Sequence, residues 1–186
     1  MSDKPSYLGL LNAIAVGEWR GHALLSAWRD STSNADLAAI LDQVAIREQE
    51  HAAAFTKRLC ELGYGLKQSP SGEFEETLAV ARSAASDADK FRRVLGYGGT
   101  DDGARPDPLE RIFEDRSIDP QTGALLGRFI AEERDSERCL RAAWARLAPA
   151  EPAGTGSSDE ETVLADIAAR IDRLAGTLEE LKKLRR

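Results

Sequence analysis

The sequence predicts an all-α protein, and three features predict it. Apolar residues recur at steps of three and four along most of the chain, the spacing that lines one face of a helix. Ala, Leu, Glu and Arg dominate, and all four favour helix. Cβ-branched residues never gather into the alternating runs expected of strands.

A first helix is expected from about Tyr7 to Asp30, with Tyr7, Leu11, Ile14, Glu18, His22, Leu25 and Trp28 along one stripe. The polar stretch STSN, residues 31–34, breaks it and offers caps for the next helix. The second helix, about Ala35 to Leu62, carries Leu37, Leu41, Val44, Glu48, His51, Phe55, Leu59 and Leu62 on its stripe. GYG, residues 63–65, ends it. A third helix, about 72–95, follows Ser71 as N-cap, and its small Ala81, Ala85 and Ala88 would let a neighbour approach closely.

Residues 96–108, GYGGTDDGARPDP, read as a loop. Within its end, Asp107-Pro108-Leu109-Glu110 opens a short extra helix to about Arg116, with Asp as cap and Pro at the first helical position. Asp119-Pro120 opens the fourth long helix, which runs to about Leu147. Its stripe is Leu126, Phe129, Glu133, then Ser136 or Glu137, Leu140, Trp144 and Leu147. The organisation is therefore a helical bundle over residues 1–148, a flexible Pro/Gly/Ser-rich linker over 149–160, and an amphipathic helix over 161–186. In the last segment Leu164, Ile167, Ile171, Leu174, Leu178 and Leu181 form a short heptad seam. That seam either pairs with a second copy, making a homo-oligomer, or docks on the bundle.

A net charge of −7, with no basic block before the terminal KKLRR, argues against nucleic acid as a partner. The start, MSDKPSYLGLL, has the pattern of neither a signal peptide nor a membrane anchor. Cys60 and Cys139 both fall inside helical patterns and read as reduced, packed thiols. Together these point to a cytoplasmic protein with no membrane partner.

The stripes contain one anomaly: charged residues stand where leucine is expected. Glu18 lies 13 residues before Ser31, and Glu48 lies 14 residues after Asn34. At about 1.5 Å per residue both sit about 20 Å from the same turn, so in an antiparallel hairpin they face each other. Two carboxylates meeting in a core are costly, because each is desolvated and they repel. A cation between them removes both costs. His51, one turn from Glu48, adds an imidazole, and carboxylate with imidazole suits iron, manganese or zinc.

An internal repeat adds a third carboxylate. Shifted by 85 residues, the segment 34–55 falls on 119–140, placing Leu41 on Leu126, Phe55 on Leu140 and Glu48 on Glu133.

Glu18, Glu48-x-x-His51 and Glu133, placed on three helices, resemble the ferritin-like superfamily, and its rubrerythrin-type branch most. The resemblance covers about residues 6–148. It implies a four-helix bundle holding a di-iron or di-manganese site, built from one Glu on each of two helices and Glu-x-x-His on the other two. By that resemblance Glu18 and His51 are terminal ligands, and Glu48 and Glu133 bridge. Non-haem oxidoreductase chemistry, with dioxygen or peroxide or of the ferroxidase type, would follow.

The chain departs from the family pattern at two ligand positions. The second histidine is Ser136, and near residue 103, where a second lone glutamate belongs, only Asp101 and Asp102 occur. No CxxC pair is present, so the rubredoxin-like module of rubrerythrins is missing. His22 and Glu137, one turn beyond Glu18 and Glu133, are the local substitutes. The cofactor expectation is iron, di-iron or mononuclear, with manganese or zinc as other ions. The contrasting expectation is a bundle that kept the fold, lost the metal and serves as an oligomeric scaffold through the 161–186 helix.

Overall fold

The computed structural model describes residues 5–98 and 117–147. Among them all regular structure is helical: α1 (Leu8–Arg29), α2 (Ala35–Glu61), α3 (Gly72–Arg82), α4 (Asp87–Val94) and α5 (Pro120–Leu147). None of these helices is long and apolar enough to cross a membrane.

Local chemistry sets the ends. The Asn34 side chain accepts from the Leu37 N–H and starts α2. Asp119 does the same for α5, its Oδ1 accepting from Gln121 and Thr122 N–H groups at 3.0 Å. The two caps are 85 residues apart and make the same i to i+3 bond, so the repeat extends to the helix starts. Gly63 ends α2 at φ +81°, a left-handed conformation in which a Cβ would be strained.

One expected element is divided. The segment 72–95 forms two helices, because Ser83 turns extended and its hydroxyl bonds back to the Val80 carbonyl. Ser86 then caps α4, accepting from the Asp89 N–H. Two serines that bond the backbone locally outcompete the helix-forming alanines between them. The cysteine expectation also changes in part: both thiols are free, but Cys60 is exposed rather than packed. The short helix expected to Arg116, Asp101 and Asp102, the linker and the 161–186 helix lie outside the described residues.

α1 and α2 form an antiparallel hairpin, as shared contacts at both ends require. Leu25 and Trp28 cluster with Leu37, Leu41 and Val44, and Leu11 and Ile14 cluster with Phe55 and Leu59 at the far end. α5 runs antiparallel to α2: Arg58 reaches Asp119 at the start of α5, and Arg47 reaches Asp135 further along. From Leu11 to Val16 every residue of α1 is buried, so this stretch is apolar on nearly all faces. The 62–71 connection covers its remaining side. There Asn12 exchanges two hydrogen bonds with the Lys67 backbone, at 2.9 and 2.7 Å.

The core is in two parts. One cluster gathers Leu11, Ile14, Phe55, Leu59, Leu126 and Phe129. The other gathers Leu25, Trp28, Leu41, Val44, Phe91 and Leu140, with Ala81 of α3. Phe55 is fully buried, and truncating it to Ala would cost about 3 kcal/mol. Between the clusters, at one level of α1, α2 and α5, lie Glu18, Glu48, His51, Glu133, Ser136 and Glu137, all buried.

Candidate metal centre

The polar layer is positioned by the same periodicity that builds the core. Glu18 follows Ile14 by four residues, His51 precedes Phe55 by four, and Glu133 follows Phe129 by four. Each therefore points inward with its apolar neighbours. The His51 ring packs edge-on against Phe129, centroids 5.1 Å apart, which holds its plane.

His51 is the hub. Its Nδ1 lies 3.1 Å from Glu18 Oε2 and 3.5 Å from Glu133 Oε1. Its Nε2 lies 2.7 Å from Glu132 Oε2. Burial would push the ring's pKa down, but the bonds to Glu133, Glu18 and Glu132 outweigh it and raise the pKa to about 10. At neutral pH without a metal, the ring is therefore an imidazolium donating from both nitrogens. Glu132 in turn accepts from the Arg128 Nε–H at 2.9 Å. Burial acts against its charge, yet the bonds from His51 and Arg128 keep its pKa below the ordinary range.

One ligand atom each from Glu18, His51 and Glu133 lie within 4.8 Å of one another. An ion with bonds of about 2.0–2.3 Å spans donors up to about 4.6 Å apart, so side-chain shifts of a few tenths of an ångström would let one ion touch all three. The donor set, one imidazole nitrogen with two carboxylate oxygens, fits first-row divalent ions. The outer bond from Nε2 to Glu132 is the arrangement that fixes a metal-binding histidine and raises its basicity. Nδ1 would serve either a proton or a metal, so loading the site would release that proton.

The remaining expected residues stand differently. Glu48 is fully buried in the same layer, but it is not one of the three that converge. His22 is half-buried and separate. Its Nδ1 donates to the Ala45 carbonyl at 2.9 Å, and its ring lines a groove with Trp19, Ser26 and Arg82. Glu137 is held by the Tyr97 hydroxyl, which donates to its Oε1 at 2.9 Å, and by Arg141 Nε at 2.8 Å. Ser136, at the expected second-histidine position, accepts from Arg47 Nη1 at 3.2 Å. The same guanidinium nitrogen lies 2.6 Å from Asp135 Oδ2.

Two participants escape a stripe-based reading. Glu132 flanks the inward Glu133 and belongs to no stripe, yet it holds His51; the tandem Glu132-Glu133 opposite a lone histidine is the sequence signal for it. Tyr97 sits in a Gly-rich stretch that reads as loop, but it is buried against Phe91, ring centroids 5.3 Å apart.

No family model, no curated protein and no solved structure matches the chain.

Proposed function

We propose that the chain is a ferritin-like metalloprotein, a four-helix bundle that binds a transition metal in its core through Glu18, His51 and Glu133, with Glu48 in the same layer. In this reading α1, α2 and α5 are three helices of the bundle, and α3 with α4 is a broken third in chain order. Iron is the first choice, manganese or zinc the others. The observation that carries the reading is the convergence of an imidazole nitrogen and two carboxylate oxygens within 4.8 Å, buried between two apolar clusters. Iron held there would supply oxidation-state cycling with dioxygen or peroxide. The chain's own share is to hold and orient: Glu132 fixes the ring through Nε2, Phe129 sets its plane, and the flanking apolar clusters keep bulk water out.

Metal content of protein produced with added iron tests this directly, beside Glu18→Ala, His51→Ala and Glu133→Ala. Wild type should retain metal that each variant lacks. Equal, near-zero metal in all four would sink the reading.

A second reading rests on His51 itself. Both ring nitrogens already face carboxylates, so a proton can do the work of a metal and leave a metal-free bundle. Such a protein would serve as an assembly module, through the heptad seam of residues 161–186. Deleting residues 161–186 should then lower the mass seen in light scattering, and an unchanged mass removes this reading.

A further inference from the structure

The geometry points to a centre for one divalent cation per chain, with the Arg47 guanidinium standing where a second ion would need ligands. This rests on the metal-binding reading above and concerns how many ions it takes.

Three observations carry it. The converging donors form one group, not two, among the described residues: Glu18, His51 and Glu133 each bring one ligand atom within 4.8 Å of the others, with Nδ1 the ring nitrogen nearest both carboxylates. The layer has one imidazole, and both of its nitrogens are assigned. Nδ1 faces the site and Nε2 is held outside by Glu132 at 2.7 Å.

The third observation is the character of the opposite half. One turn beyond Glu133, where a second imidazole would serve a second ion, the chain has Ser136. A serine hydroxyl is a weak ligand for such ions, and this one accepts from Arg47 Nη1 at 3.2 Å. Ser136 is fully buried, so a cation there would meet a guanidinium in a poorly screening interior. Arg47 is kept in place by Asp135 at 2.6 Å. Glu137, a further buried carboxylate of α5, accepts from the Tyr97 hydroxyl and is ion-paired with Arg141.

A second divalent ion near Ser136 would also sit beside the Arg47 guanidinium, and like charges in a low-dielectric interior repel strongly.

The test is a titration of metal-free full-length protein with manganese(II), read by equilibrium dialysis and by electron paramagnetic resonance. The expected result is one ion per chain, giving the hyperfine sextet of an isolated high-spin ion. Two ions per chain with an exchange-coupled spectrum would overturn the inference and leave the metal-binding reading standing. No saturable binding would overturn both. The double variant Arg47→Ala, Ser136→His, shown to be folded by circular dichroism, should take up a second ion and gain the coupled spectrum. A folded double variant that stays at one ion would refute the assignment of Arg47 and Ser136 as the groups that limit the count.

Discussion

Two polar clusters join α2 to α5, two helical turns apart, and they are built on different rules. At one end Arg58 meets Asp119 and Glu61, each at 2.9 Å, and Thr122 at 2.8 Å. Asp119 also accepts from Tyr7 at 2.7 Å and from the first N–H groups of α5. Every group in that knot has a complementary partner, and its bonds to Thr122, Tyr7 and Arg58 hold the Asp119 carboxyl far below the usual range. In the middle, Glu18 and Glu133 converge on a single nitrogen of His51. The knot is a lock between helix ends. In the proposed reading the layer is a cradle in which a proton and a metal ion would compete for one nitrogen.

The widest separation between the two should come from removing ligands. His51→Ala or Glu133→Ala should abolish metal retention, measured by elemental analysis, whereas Arg58→Ala should keep it. Metal-dependent thermal stabilisation should vanish in the first two and persist in the third. Next in size, Arg58→Ala should cost about 2 kcal/mol in urea unfolding of the metal-free protein. That is less than for a fully buried pair, because Asp119 is one-third exposed and can rehydrate.

Acid and base should separate the two regions again. The His51 pKa is raised in the folded state, so its contribution is complete below about pH 6.5. It is lost as pH rises toward about 10. Asp119 is depressed, so its contribution is present above its ordinary 3.8 and is lost on acidification below that. Melting temperature of metal-free protein should thus fall at both extremes. His51→Gln should remove the alkaline slope and Asp119→Asn the acid one. A His51→Gln protein with an unchanged alkaline slope would assign that slope to other groups. The smallest effect is expected at the outer partner: Glu132→Ala should weaken metal affinity about 10-fold by loosening the ring, a change visible in isothermal titration calorimetry.

Much of the architecture is legible in the residues. Both ends of α2 and the start of α5 follow from Asn34, Gly63 and Asp119, whose capping chemistry is local and does not depend on the rest of the chain. The inward stripe positions are equally legible, since Leu11, Leu41, Phe55 and Leu126 are buried as the 3-and-4 spacing demands. The break at residues 83–86 is not legible from spacing, because the stripe carries through it; Ser86 with Asp89 three residues on is the cue that outranks the alanines. At the site, Glu18, His51 and Glu133 are legible because periodicity and helix length place them at one level. Glu132, Arg47 and Tyr97 are not. Their roles arise from side chains reaching across between helices, and a one-dimensional pattern contains no such distances. Lys90 makes the same point. It is a charged residue beside Phe91 that spacing does not assign to the core, yet it is fully buried and donates to Ser31 at 2.7 Å.

The division of the core by the polar layer has a consequence for how the molecule opens. Each apolar cluster is continuous within itself, and among the described helices α1, α2 and α5 alone run through both. Hydrogen exchange should then resolve two cooperative units, with the amides around Glu18, His51 and Glu133 as the seam between them. An ion bound at that seam would act as a clasp, merging two openings into one.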